Sequence, residues 1–132
     1  MKDPNNPCIF CTIRKEELQF DNHLAYSSLD SYPVSEFHSL IVPKRHVETY
    51  FELTNEEIQV CNELILKTKE KILKQDPSVK GFNIGTNAGK SAGQSIMHCH
   101  IHLIPRREGD VANPQGGIRS VIPSKQHYIR KL

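Results

Sequence analysis

The chain has 132 residues, of which 37% are hydrophobic and 24% charged, so it has room for one domain, residues 1–132, with one core. Its net charge of +2 is too small to indicate a nucleic-acid partner. No apolar run approaches the roughly eighteen residues of a membrane span, and the N-terminal segment lacks the apolar stretch of a secretory signal. We therefore expect a cytoplasmic protein with no membrane partner, whose four cysteines stay reduced.

A long amphipathic helix is predicted over residues 55–75. Thr54 and Glu57 have the spacing of a capping box, in which each side chain accepts a hydrogen bond from the other residue's backbone amide. The sequence Asp76-Pro77 ends the helix. Residues at three- and four-residue spacings form its apolar stripe, namely Ile58, Cys61, Leu64, Ile65, Thr68, Ile72 and Leu73.

Short apolar segments on both sides of this helix predict strands. Their order, with strands before and after one long helix, favours an α+β fold with a mainly antiparallel sheet. The C-terminal part of the chain is rich in turn residues and contains one further short candidate strand. The predicted strands cover residues 23–29, 39–42, 82–86 and 97–104, and the short one covers residues 118–122.

Three histidines alternate with other residues along the strand predicted at 97–104. His98, His100 and His102 would share one face of that strand. A solvated strand face is the plain alternative, but threonine, lysine or glutamate would be the usual residues there. Imidazole titrates near neutral pH and offers a nitrogen lone pair, so the row favours metal binding, proton transfer or covalent catalysis. The intervening residues would enter the core, namely Cys99, Ile101 and Leu103.

A glycine-rich segment directly precedes the histidine row. It combines flexible backbone, side-chain amides and a hydroxyl, and this set suits an anion such as phosphate. The spacing around Gly89-Lys90-Ser91 does not match a Walker P-loop, and a flexible hairpin connection is the alternative. The polar and glycine residues concerned are Asn83, Asn87, Gly89, Gly93, Gln94 and Ser95.

The row and its surroundings resemble the signature of the histidine-triad family, whose members are nucleotide-binding hydrolases and transferases. The signature itself is the stretch from His98 to Ile104, preceded by Ala92-Gly93-Gln94-Ser95. The similarity covers most of the chain apart from its C-terminal tail, and it implies a homodimer. The other similar parts are Cys8-Ile9-Phe10-Cys11, Asp30, the stretch from His38 to His46, Asn87 and Pro105-Arg106.

The resemblance implies chemistry at the α-phosphorus of a purine nucleotide conjugate, with His100 attacking to form a covalent nucleotidyl-histidine. A neutral imidazole is a competent nucleophile when its other nitrogen donates to a fixed acceptor such as a backbone carbonyl. Hydrolysis and transfer share this step, so both stay open, as do phosphoramidate and dinucleoside polyphosphate substrates. The alternative functions are a nucleotide-binding regulatory or interaction protein with incidental turnover, and a zinc-dependent structural module.

By the same resemblance, the site residues divide according to the part of the nucleotide they contact. The catalytic group is Ser95, His98, His100 and His102. Asp30 would accept hydrogen bonds from the ribose hydroxyls. The phosphate and ribose contacts would come from Asn87, Gly93, Gln94, Ser95 and His102, and the base slot from Ile9, Phe10 and Ile13.

The chain also departs from the family pattern near these residues. Ser28 and Ser31 flank the Leu29-Asp30 pair where relatives more often carry apolar residues, and Phe37 stands where glycine is common. His38 is expected to be a structural residue that forms hydrogen bonds. These departures leave the base preference open.

A zinc site is the second chemical hypothesis. Cys8 and Cys11 alone are a weak signal, but His46 and His98 would complete a tetrahedral site of two thiolates and two imidazoles. The resemblance points to the same four residues, because several relatives with this cysteine pair hold zinc in that way. With four protein ligands the metal would be structural. The alternative leaves His98 as a hydrogen-bonding member of the triad and the cysteines without metal.

Overall fold

The computed structural model describes residues 7–131. Its regular elements are β1 (Leu18–Asp21), β2 (Ala25–Leu29), β3 (Ser39–Pro43), α1 (Asn55–Gln75), β4 (Val79–Gly85) and β5 (Ile101–Arg107), with short 3₁₀ helices between them. All strand pairs are antiparallel, and the sheet has the order β1-β2-β3-β5-β4. This architecture confirms the predicted α+β fold with one long helix.

Helix α1 has the predicted bounds because both of its end signals are present. The Glu57 amide donates to Thr54 Oγ1 over 3.1 Å, and the Thr54 amide donates to Glu57 Oε1 over 2.8 Å. Leu73 is 37% exposed and lies off the apolar stripe, whereas Val60 is buried. The helix packs on one face of the sheet through a core that includes Ala25, Ile41, Cys61, Leu64, Ile72 and Leu103.

The predicted strands at 23–29 and 82–86 are present with shifted ends, as β2 and β4. Three other parts of the chain differ more from the sequence-based expectation. Strand β1 was not predicted, since its residues are only half-buried and lie at a sheet edge. Strand β5 begins at Ile101, not at residue 97, because the Cys99 amide donates to the Val47 carbonyl over 2.8 Å. The segment predicted as a strand at 118–122 is instead the 3₁₀ helix Gly117–Val121. It follows Gly116, whose φ of 71° starts a turn.

The face of the sheet opposite α1 carries a row of three neighbouring residues on three strands. Ser28 of β2 pairs with Leu40 of β3, and Leu40 pairs with His102 of β5. Side chains at these positions point away from the helix, so this open face is available to a ligand. Within residues 7–131, no helix is both long enough and apolar enough to cross a bilayer.

Phe37, one of the departures from the family pattern, has a φ of 70° and is the one non-glycine residue in the described range with a positive φ. A left-handed backbone favours glycine because a Cβ atom is crowded there. The phenyl ring packs against the core under the sheet, and this burial offsets the cost of the backbone conformation.

Candidate active site and metal centre

A cavity of about 560 Å³ lies on the open face of the sheet. Its walls come from strands β2 and β3, the start of β5 and the N-terminal segment. A second cavity of about 580 Å³ lies under the C-terminal segment and is lined by Ile104 and Arg106, without a histidine. The first cavity contains eight of the predicted site residues, namely Ile9, Phe10, Ile13, Asp30, Asn87, Ser95, His100 and His102.

His100 is buried at this cavity with its ring orientation fixed. Its Nδ1 donates to the carbonyl oxygen of His98 over 2.8 Å, as expected for a nucleophilic imidazole. The ring also lies against Phe10, with the ring centroids 4.9 Å apart. Because a carbonyl only accepts hydrogen bonds, Nδ1 carries the proton, and the lone pair on Nε2 is left for the cavity.

His102 is oriented by a chain of hydrogen bonds through His38. The Val34 amide donates to His38 Nδ1 over 3.1 Å, so the proton of this neutral ring is on Nε2. His38 Nε2 then donates to His102 Nδ1 over 2.9 Å, and it also lies 3.4 Å from Asp30 Oδ2. His102 therefore carries its own proton on Nε2, the nitrogen that is free to donate to an anion.

The pKa values of the two rings favour this neutral arrangement. Burial lowers the pKa of His38, although the Asp30 carboxylate opposes that shift. Burial also lowers the pKa of His102, and the neighbouring His100 and His38 add to the effect. Both rings are thus held neutral near pH 7, as the hydrogen-bond chain requires.

Asp30, His38 and His102 also lie close enough together to be considered as metal ligands. The tautomer of His38 argues against that role, because its Nε2 carries a proton while Nδ1 accepts from the Val34 amide. A nitrogen that carries a proton cannot ligate a metal. The cluster is therefore best described as a hydrogen-bonded support for the cavity.

The glycine-rich segment is held in shape by Gln94. Its Oε1 accepts from the Gly89 amide over 2.8 Å, and its Nε2 donates to the carbonyls of Glu48 and Ile96. Gly89 and Gly93 have φ values of 98° and 95°, which only glycine adopts without strain. Gln94 is buried, and neither Gln94 nor Gly93 lines the cavity. Ser95 and Asn87 do line it.

The four predicted metal ligands come together beside this cavity. Cys8, Cys11, His46 and His98 place their ligand atoms within 4.8 Å of one another. His98 Nδ1 lies 3.4 Å from each sulfur and 3.1 Å from His46 Nδ1, and Cys11 Sγ lies 3.1 Å from His46 Nδ1. Separations of this size are those between ligands around one tetrahedral zinc ion, at bond lengths of about 2.0–2.3 Å.

The protonation of His98 also fits a metal ligand. Its Nε2 donates to the Pro43 carbonyl over 2.8 Å, so its Nδ1 lone pair faces the two sulfurs. Burial lowers its pKa, and this shift keeps the ring neutral. The donor set of two sulfurs and two imidazole nitrogens is the one that zinc prefers.

An ion pair anchors the loop that carries His46. The preceding residue, Arg45, donates from Nη2 and Nε to the two carboxylate oxygens of Glu57 over 2.8 and 3.1 Å. Those hydrogen bonds are the largest cause of the lowered pKa of Glu57, which is about 2. The cap of helix α1 is thereby tied to the loop of the metal cluster.

Several residues that line the cavity were not predicted as site residues, among them Glu17, Ser28, Tyr32, Val34 and Leu40. Ser28 lies two positions before Asp30, which directly follows the strand that contains Ser28, so the two-residue repeat of extended chain was a usable signal for it. Glu17 directly precedes the unpredicted β1, and the sequence gives no signal for it. The hydrogen bond from His38 to His102 joins residues 64 positions apart and was equally invisible in the sequence.

The fold and this site together define a histidine-triad protein. The family model described as HIT domain matches residues 12–109, which is most of the chain. The chain belongs to the HIT domain family, and the family resemblance is thereby confirmed.

Individual relatives agree with this assignment. An uncharacterised HIT-like protein of Methanocaldococcus jannaschii is 38% identical over 78% of this chain and 81% of its own length. An adenosine 5'-monophosphoramidase of Candida albicans is 34% identical over 76% of this chain and 71% of its own. The crystal structure of a HIT family protein from Bacillus anthracis is similar with a TM-score of 0.72 and 32% identity, covering 80% of this chain and 77% of that one.

Proposed function

We propose that the protein is a nucleotide hydrolase or nucleotidyl transferase that acts at the α-phosphate of a purine nucleotide conjugate. The observation that carries this proposal is His100, whose Nδ1 donates to the His98 carbonyl and whose Nε2 lone pair is therefore available at the cavity. A fixed, neutral imidazole is the form in which histidine acts as a nucleophile.

The reaction has two steps in this proposal. First, the Nε2 lone pair of His100 forms a bond to the α-phosphorus, while the bond to the leaving group breaks and the leaving group departs with its electron pair and takes up a proton from the solvent. Water or another acceptor then attacks the phosphorus and releases a proton to the solvent, and the N–P bond breaks with its electron pair returning to Nε2. Both steps develop charge on the non-bridging oxygens.

The neighbouring residues have roles that fit their positions. His102 Nε2–H and the Ser95 hydroxyl donate to the phosphate oxygens, assisted by Asn87, and Asp30 accepts from the ribose hydroxyls. Gln94 and Gly93 act indirectly, by shaping the loop before the row. Ile9, Phe10 and Ile13 contact the base.

A phosphoramidate is the substrate class we favour, because the Candida albicans relative is a monophosphoramidase. A dinucleoside polyphosphate is the second class. We further propose a homodimer, since β4 is an edge strand of the sheet and leaves its outer hydrogen-bonding groups for a second copy. The proposal includes no nucleic-acid or membrane partner.

We also propose that Cys8, Cys11, His46 and His98 hold a structural zinc ion. Bound there, zinc supplies a cross-link between the N-terminal segment, the end of β3 and the segment before β5. The four protein donors close its coordination shell, so the chemistry at His100 does not depend on a metal-bound water. His98 contributes its side chain to the metal cluster and its carbonyl to His100.

The test measures release of nucleoside monophosphate from an adenosine phosphoramidate, a diadenosine polyphosphate and ADP. We expect rapid release from one of these, and a loss of about a thousandfold or more in His100→Ala, because the nucleophile is gone. His23→Ala is the matched control, since His23 is an exposed histidine next to Glu56 and does not line the cavity, and it should keep full activity.

Two results would contradict the proposal. If His100→Ala releases the product as fast as the natural chain, the covalent intermediate is wrong. If the natural chain binds AMP but turns over none of the three compounds, the result supports the alternative of a nucleotide-binding regulatory protein.

A further inference from the structure

Ser28 is a polar residue at the floor of the cavity that none of the roles above uses. It is only 4% exposed, and it lines the cavity. In the described part of the chain, its hydroxyl has no hydrogen-bond partner, although the Ser28 backbone pairs with Leu18 and Leu40 in the sheet. Its Oγ is not one of the fully buried side-chain atoms without a partner, which in the described residues are Ser27 Oγ and Thr68 Oγ1. The Ser28 hydroxyl is therefore open to the cavity that it lines, where a ligand can supply its hydrogen-bond partner.

Comparison with the neighbouring Ser27 shows that the side of the sheet distinguishes Ser28 from other buried serines. Ser27 is fully buried on the same strand, and its Oγ also lacks a partner in the described range. Successive strand residues point to opposite faces of a sheet, so Ser27 faces the helix and lies outside the cavity lining. Of the two serines, only Ser28 can meet a ligand in the cavity.

The separation between Ser28 and Asp30 is similar to the distance between a nucleobase and the hydroxyls of its ribose. Ser28 belongs to β2, and Asp30 directly follows Leu29, the last residue of that strand, with its backbone amide donating to the His38 carbonyl over 2.9 Å. In extended chain, two positions span about 6.6–6.8 Å. If Asp30 holds the ribose hydroxyls, the base attached to that ribose extends over this distance. The surrounding wall is apolar at Phe10, Ile13 and Leu40.

We propose that the Ser28 hydroxyl hydrogen-bonds to the edge of the nucleobase and is a specificity-determining residue. A hydroxyl both donates and accepts, so it recognises a base with ring nitrogens or exocyclic groups on that edge, as adenine and guanine have. This inference rests on the proposed function, because it places the ribose at Asp30. It deepens that function by giving the base slot a polar contact.

The experiment measures binding of AMP, GMP and ribose 5-phosphate to the full chain by calorimetry. We expect Ser28→Ala to weaken binding of the preferred purine nucleotide about threefold to tenfold, the effect of one neutral hydrogen bond. Ribose 5-phosphate has no base, so its affinity should not change. Ser28→Thr keeps the hydroxyl and should restore binding, and Ser27→Ala is the matched control with unchanged affinities.

The other outcomes separate the two proposals. If AMP or GMP binds the natural chain and Ser28→Ala equally or more tightly, base recognition by Ser28 is wrong while the proposed function stands. If Ser28→Ala weakens ribose 5-phosphate as much as the nucleotides, the serine acts on the shape of the site and the inference is also wrong. If the natural chain binds neither nucleotide, both proposals fail.

Discussion

The two histidine clusters beside the cavity use the same residue type in opposite ways. Around His98, nitrogen and sulfur atoms converge on one point, with its Nδ1 within 3.4 Å of both sulfurs and 3.1 Å from His46 Nδ1. Around His102, donors and acceptors alternate along a chain from the Val34 amide through His38. The first arrangement has the donor set and spacing that suit a metal cation, and the second holds a proton at a fixed atom.

The difference between the clusters comes from the backbone group or neighbouring ring that each imidazole meets. The Pro43 carbonyl accepts a hydrogen bond from Nε2–H of His98, and the His98 carbonyl accepts one from Nδ1–H of His100. His102 instead accepts at Nδ1 from His38. Three histidines spaced two residues apart thus present a lone pair that faces two sulfurs, a lone pair that is left for the cavity and an N–H donor. The roles that we propose for them follow from these tautomers.

The largest effect is expected when the cluster of Cys8, Cys11, His46 and His98 loses a member in Cys11→Ser. Loss of a ligand should release zinc and lower the free energy of unfolding by about 2–5 kcal/mol, as for the loss of a cross-link in a small domain. Urea unfolding and the zinc content per chain, measured with and without a chelator, check this.

Cys61→Ala is the control for that substitution. Cys61 is buried in the core and is not one of the four clustered residues, and burial raises its pKa to about 12. This variant should keep both its zinc and its sensitivity to the chelator. A natural chain that contains no zinc, and whose unfolding ignores the chelator, would show that the cluster is not a metal site.

The hydrogen-bond chain from the Val34 amide through His38 to His102 is broken by His38→Leu. Without the donor at His38 Nε2, His102 is free to carry its proton on Nδ1, and its donation to the phosphate is lost for that fraction of molecules. We expect turnover to fall about tenfold to a hundredfold, while the zinc content stays the same. Rates with saturating substrate and metal analysis of the same samples test both halves of this prediction.

His38→Gln provides the matched comparison, because its side-chain amide can still donate to His102. It should recover part of the activity that His38→Leu loses. Equal activities in the two variants would mean that His38 fills space and does not set the tautomer.

Much of the site could be read from the sequence, because its signals are local. The bounds of α1 follow from Thr54, Glu57 and Asp76, and the alternation of the row already separated His98, His100 and His102 from the core residues between them. The four members of the metal cluster were also predicted, although from a family resemblance. These features depend on residues whose spacing is itself the signal.

The remaining features depend on contacts between distant parts of the chain. Gln94 was expected near the ribose and phosphate, but its side-chain amide donates to the carbonyl of Glu48, which is 46 residues away in the sequence. The place of Ser28 in the cavity follows from the pairing of β2 with β3 and of β3 with β5, which brings Leu40 and His102 beside it. Residues 118–122 were predicted as a strand from their composition, but the turn at Gly116 directs them into a 3₁₀ helix instead.

Neutral imidazoles belong to the His102 cluster, whereas the carboxylate of Glu57 supports the loop of the metal cluster. Because these groups titrate in different pH ranges, we expect stability to depend on pH in two steps. Burial lowers the pKa of His38 and His102 from 6.5, so the unfolded chain takes up these protons first and stability falls as the pH drops below 6.5. Glu57, which supports the loop of the metal cluster, has a pKa of about 2 against an ordinary 4.5. Its contribution is present above pH 4.5 and is lost as the pH falls toward 2.

Urea midpoints between pH 8 and pH 2 measure both steps. Glu57→Gln should remove the lower step and leave the upper one, because glutamine does not titrate. A single step that this variant leaves unchanged would mean that Glu57 and the histidines do not control acid unfolding.

The smallest expected effect concerns a polar group that belongs to neither cluster. Thr68 is fully buried on the core side of α1, and its Oγ1 has no hydrogen-bond partner within residues 7–131. Thr68→Val keeps the shape of the side chain and removes the unpaired hydroxyl, so it should raise the free energy of unfolding by about 1 kcal/mol. Activity and zinc content should not change. If this variant instead lowers stability, the hydroxyl has a partner in solution, such as a buried water.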